Sequence, residues 1–194
     1  MNLPLYLTAS RLVFAPLFFV TFFIPEWTGA FHVESTVLLW VMMVIIEITD
    51  AADGALARAL NQVTDLGKLL DPFSDVISRL TYFICFTVAG IMPAWVLIII
   101  FYREYGIVFL RMIMYRDGTA LAARKGGKLK AIFYFLSGIM GMLVVTIERT
   151  GVLTGSLVPI RTGALGVFAV SAVLCLVSFI DYLAVFRTSR RGAS

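Results

Sequence analysis

Hydrophobic positions in this chain do not alternate with polar ones; they run together. Six apolar stretches, at about 12–31, 35–60, 69–91, 94–115, 129–148 and 161–186, are each long enough to cross a bilayer as a helix. Short polar connections separate them. The pattern predicts an all-α integral membrane protein of six transmembrane helices, built as a single domain over residues 1–194. Pro16 and Pro25 interrupt the first stretch without excluding it, since membrane helices tolerate proline. Residues 1–11, MNLPLYLTASR, lack the charged start and cleavage pattern of a signal peptide. They are expected to form a short interfacial segment ahead of the first span.

Composition agrees with the pattern. Hydrophobic residues make up 60% of the chain and mean hydropathy is +0.95, against about 45–50% apolar residues in soluble domains. Net charge is +4, but it does not point to nucleic acid. The basic residues sit in connections and at the C-terminus, where they meet anionic lipid or phosphate. Cys85 and Cys175 lie in separate apolar runs and suggest packing, not a disulfide framework. His32 alone cannot build a zinc centre.

Charge also orients the chain. The connections 25–36, 91–94 and 148–161 hold only Arg149 and Arg161 as basic residues. Arg58, Lys68, Arg116, Arg124, Lys125, Lys128, Lys130, Arg187, Arg190 and Arg191 lie at the opposite ends of the spans. The positive-inside rule then places both termini in the cytoplasm, in a cell (inner) membrane. Residues 50–75 fall on that same side, within reach of water-soluble nucleotides and metabolites.

Those residues read DAADGALARALNQVTDLGKLLDPFSD, with the skeleton D-x2-D-G-x2-A-R-x8-G-x3-D-x3-D. Carboxylates beside lipid are costly, so Asp50, Asp53, Asp71 and Asp75 mark a site. At about 100° per residue, Asp50, Asp53, Gly54, Ala57 and Arg58 share one helix face. Gly67, Asp71 and Asp75 fall within roughly 80° of one another on the next helix. Two helices thus present two carboxylates each. Such oxygen ligands suit Mg²⁺ or Mn²⁺, and four unpaired charges call for two ions. A dinuclear centre clamps a phosphoryl group and its leaving oxygen. Gly54, Ala57 and Gly67 clear bulk from the acidic face, so a base or pyrophosphate can approach the backbone. They would equally serve helix packing. Arg58 is placed to hold phosphate oxygens as a fork. An intramembrane prenyltransferase also binds diphosphate through aspartates, but its motifs lie on distant helices. A metal-ion transporter would want acids near mid-membrane, whereas these cluster at one face.

The skeleton resembles, at every fixed position, the motif of the CDP-alcohol phosphatidyltransferase family. The resemblance implies metal ligation by Asp50, Asp53 and Asp71, with Asp75 as a further ligand and the general base. It implies a CDP pocket lined by Gly54, Ala57, Arg58 and Gly67, with Thr49 touching the nucleotide. It also implies a CDP-activated lipid donor, release of CMP, and a homodimer.

Motifs outside the skeleton are similar to bacterial phosphatidylglycerophosphate synthases. Leu7-Thr8-Ala9-Ser10-Arg11 and then Pro16 resemble L-T-x-x-R-x4-P. Arg103-Glu104 followed by Arg111 resembles that subfamily's R-E pair and later arginine. Gly127-Lys128-Leu129-Lys130 resembles G-K-x-K-T, with Ala131 in place of threonine. Leu70-Asp71-Pro72 matches L-D-P-x-A-D-K, but Ser74 and Val76 replace its alanine and lysine. Transfer from CDP-diacylglycerol to glycerol 3-phosphate is the expected reaction; inositol phosphate, serine or a choline-type alcohol are the alternative acceptors. Pro72 speaks against the inositol-phosphate and serine members. Arg103 and Arg111, roughly 80° apart around a helix, would line one side of a cleft facing the metals. Lys125, Lys128 and Lys130 cluster beside the fifth span. Together these five suit the phosphate of the acceptor. Glu104 would neutralise one of them, and Arg79 is expected to partner Asp75.

Overall fold

The computed structural model describes residues 3–59, 65–116 and 125–191, with side chains over 6–50, 67, 70–114, 129–184, 186 and 187. Six helices carry it: α1 (Leu3–Thr28), α2 (His32–Ala59), α3 (Asp65–Val88), α4 (Ala94–Arg116), α5 (Lys125–Thr150) and α6 (Leu157–Arg191). A single 3-10 turn, Thr154–Ser156, precedes α6. Each helix coincides with one of the six apolar stretches. α1 differs at its start, because residues expected to lie apart at the interface are its first turns. Among the described residues, four segments are long and apolar enough to cross a membrane: Tyr6–Thr28, His32–Asp50, Leu129–Thr150 and Thr154–Ala184. α3 carries Asp71, Asp75 and Arg79 within its apolar run and α4 carries Arg103, Glu104 and Arg111, and both helices contribute to the polar clusters described below.

Glycines end three of these helices: Gly29 follows α1, Gly90 follows α3 and Gly151 follows α5. Gly90 has φ +70°, a conformation with little steric cost only for glycine. It closes α3 as a Schellman cap, with Gly90 N–H donating to the Thr87 carbonyl and Ile91 N–H to that of Phe86. Gly151 (φ +68°) ends α5 by donating to the Ile147 carbonyl at 3.0 Å. At the same end of the bundle, Arg149 donates to the Phe22 carbonyl and Arg161 to that of Gly90. The two arginines of the otherwise charge-poor connections thus satisfy carbonyls near helix ends.

α1 packs along both α2 and α3, α5 lies on α6, and α4 bridges α3 and α6. α2 and α3 both touch α5, which closes the bundle. Aromatic rings fill the middle. Phe22 meets Phe86 at 6.3 Å between centroids, and Phe83 stands at 90° to Tyr134 at 5.7 Å. Lipid is as apolar as these side chains, so close packing and not water exclusion holds such helices together. α5 achieves it with small residues. A Cβ at Gly141 would collide with the Phe86 ring, and one at Gly138 would sit 2.7 Å from Met43 Cε. Gly141→Ala is therefore expected to destabilise the fold by about 1–3 kcal/mol through overpacking. Gly166→Ala, which meets nothing within 4 Å, should leave stability unchanged or slightly raised. Paired thermal melts in detergent would check both, and equal melting points would refute the packing argument.

Candidate active site

The acidic stripes do come together. α2 delivers Asp50 in its C-terminal half, and α3 delivers Asp71 and Asp75 on one face. One carboxylate oxygen from each lies within 4.8 Å of the other two. The side chains of Asp53, Gly54, Ala57 and Arg58 lie outside the described residues, as do those of Lys125 and Lys128. Gly67 is half-buried at the start of α3. Thr49, also half-buried, donates its hydroxyl back to the carbonyls of Ile45 and Ile46, both at 2.9 Å.

A third helix completes the centre. Arg11 of α1 is buried to 0% exposure and points its guanidinium into the carboxylate triangle. Its Nη1 donates to Asp50 Oδ1 at 2.6 Å and to Asp75 Oδ1, and its Nη2 donates to Asp71 Oδ1 at 2.7 Å. Ser78 of α3 reaches the Arg11 carbonyl at 3.5 Å. The Oδ1 atoms of all three aspartates therefore face one cationic group. Asp71 is the most open of them, at 45% side-chain exposure. Arg79 departs from expectation. It bonds Asp50 Oδ2 across the helix pair at 2.9 Å, whereas Asp75 was its expected partner.

These residues fit a divalent metal. The donor set is all oxygen, the choice of hard cations. The convergence on a buried guanidinium shows that the triangle requires positive charge at its centre. One oxygen from each aspartate lies within 4.8 Å of the other two, near enough for the three to close on one ion.

A second polar cluster joins α4, α5 and α6. Glu104 accepts hydrogen bonds from Arg103 at 2.9 Å, Lys130 at 2.6 Å and Tyr134 at 2.8 Å. Arg103 also donates to Ser178 of α6 at 2.9 Å, and Lys130 lies 4.6 Å from the Tyr134 ring centre. Arg103, Glu104 and Lys130 are all buried. Two cations against one carboxylate leave the cluster one charge positive. Among the described residues, Arg103 Nε is buried with no hydrogen-bond partner. Arg111 does not join it. The expected shared face of Arg103 and Arg111 is not formed: Arg103 turns toward α6, whereas Arg111 is exposed.

Reasoning from the sequence gave Arg11 a place in the L-T-x-x-R motif but no role at the acidic centre, although a further signal was present. It is a lone arginine inside an otherwise apolar N-terminal run, a placement that marks function by its cost. It also missed that Glu104 organises Arg103, Lys130 and Tyr134 together.

Comparison with known proteins bears on the same residues. The family model for CDP-alcohol phosphatidyltransferase matches residues 1–180, which include both clusters. A CDP-diacylglycerol–glycerol-3-phosphate 3-phosphatidyltransferase of Treponema pallidum is 32% identical, covering 96% of this chain and 89% of its own. The Bacillus subtilis protein of the same name is 33% identical over 66% of this chain and 70% of its own. A CMP-forming cardiolipin synthase of Streptomyces coelicolor is 30% identical over 61% of this chain and 54% of its own. With the acidic skeleton carried on facing helices and the match spanning nearly the whole sequence, this chain belongs to the CDP-alcohol phosphatidyltransferase family of membrane enzymes.

Proposed function

We propose that this enzyme transfers the phosphatidyl group of CDP-diacylglycerol to glycerol 3-phosphate and releases CMP. The observation that carries this reading is the convergence of Asp50, Asp71 and Asp75 around one cationic centre. The names of the Treponema and Bacillus relatives supply the donor and the acceptor.

Asp50, Asp53, Asp71 and Asp75 would hold two Mg²⁺ or Mn²⁺ ions. Bound there, the ions would neutralise the diphosphate and the departing phosphate. Arg58, with Gly54, Ala57, Gly67 and Thr49, forms the CDP pocket. Asp75 takes the proton from the acceptor hydroxyl. The resulting oxygen bonds to the phosphorus that carries diacylglycerol, and the bond from that phosphorus to CMP breaks. The lipid product stays in the bilayer. An apolar groove of about 390 Å³ between α1 and α3 suits an acyl chain; Ala15, Phe19, Ile77, Thr81 and Ile84 help to line it. It begins one helical turn beyond Arg11, so a diphosphate at the aspartates and a chain in the groove belong to one lipid. Arg103 and Lys130 supply the excess positive charge for the acceptor's phosphate. The distribution of lysine and arginine supports a site on the cytoplasmic side. The family resemblance supports a homodimer.

The test offers purified enzyme CDP-diacylglycerol together with glycerol 3-phosphate, inositol phosphate, serine, choline or phosphatidylglycerol, and measures CMP. Release is expected with glycerol 3-phosphate and should vanish on exhaustive chelation. Release only with another acceptor would overturn the acceptor assignment. Turnover that survives chelation would overturn the metal assignment.

A further inference from the structure

We propose that Arg79 is a positioning residue for the carboxylate centre, fixing the rotation of Asp50 so that one oxygen faces the bound cations. The inference rests on the metal-site reading above. A carboxylate turns easily about its last torsion, which has broad and shallow preferences. Asp50 is not left to turn. Its Oδ1 faces the centre with those of Asp71 and Asp75, while its Oδ2 points away and accepts from Arg79 Nη2 at 2.9 Å. Arg79 sits one helical turn beyond Asp75 on α3 and reaches across to α2. One side chain therefore ties together the two helices that bear the acidic stripes. Among the described side chains of α3, it is the only basic one.

The surroundings leave Asp50 little alternative. Behind the carboxylates lies a cavity of only about 10 Å³, lined by Arg11, Glu47, Asp50, Asp75, Ser78 and Arg79. That is room for one water at most. Val76, the neighbour of Asp75, is buried in the apolar core and supplies no charge. Without Arg79, Asp50 Oδ2 would lose the donor that holds it across the helix pair, and the carboxylate could swing away from the centre. Groups that orient metal ligands in this way commonly contribute 10–100-fold in metal affinity, on the order of the effect expected here.

The experiment titrates Mn²⁺ into detergent-purified protein, without CDP-lipid, and follows bound ion by electron paramagnetic resonance. Arg79→Met is expected to weaken Mn²⁺ binding by about 10–100-fold. Arg79→Lys keeps the charge but loses the planar fork, and should fall between it and the wild type. Affinity unchanged in Arg79→Met would overturn the proposal. Tighter binding would overturn it too, because Arg79 would then act only as a competing positive charge. If Arg79→Met does not fold, as judged by its elution profile, Arg79→Lys decides: weaker binding supports positioning, and wild-type affinity rejects it. A wild type that binds no Mn²⁺ would remove the metal reading itself and this inference with it. That failure is distinct from one in which only the variants match the wild type.

Discussion

Asp75→Asn is expected to abolish turnover while CDP-diacylglycerol binding remains measurable. The substitution keeps size and shape but removes the ability to take a proton. General-base contributions run to about 10²–10⁴-fold, so CMP release should fall at least that far. Binding survives in this expectation because Asp50 and Asp71 remain, as does the pocket proposed for cytidine. Asp75 is well placed for its role. Its side chain is only 24% exposed, yet it borders Asp71, the open member of the triangle. Labelled CMP release and direct CDP-lipid binding, measured on the same preparation, separate the two functions. Full activity would sink the base assignment. Loss of binding together with turnover would make Asp75 foremost a ligand-holding residue.

Arg11→Met should produce the second large effect, and it should depend on metal. The guanidinium is shared by Asp50, Asp71 and Asp75. Removing it leaves carboxylates of like charge crowded together, with Arg79 the remaining described cation beside Asp50 and Asp75. Breaking a buried ion pair from one side costs about 3–5 kcal/mol. A melting point measured in chelator should therefore drop sharply. Added Mg²⁺ or Mn²⁺ should recover most of the loss, because a divalent ion at the aspartates restores the missing positive charge. An equal drop with and without metal would show that Arg11 serves the fold alone.

Much of this architecture is legible in the sequence for a simple reason. Helices that cross a bilayer must satisfy their own backbone, so each appears as one long apolar run. The acidic stripes are equally legible, since helical spacing alone puts Asp71 and Asp75 on one face. Arg11 is different. Its partners lie 39 to 64 residues away, and no local periodicity connects α1 with α2 and α3. Arg79 illustrates the same limit at short range. Four residues separate it from Asp75, which suggested that partner, but the guanidinium is long enough to cross to α2 instead. Arg103 and Arg111 were expected to share a face by angle. Packing against α6 decided otherwise, since Ser178 and Tyr182 draw Arg103 inward.

The place of Arg11 in the chain has a consequence for biosynthesis. This charge leaves the ribosome before any of the three aspartates it binds. At roughly 5–20 residues per second, several seconds pass before the last of them is made. During that interval the first helix carries an uncompensated cation in or beside the lipid. Its carboxylate partners come only with the next two helices, so the packing of the first three is expected to be completed together.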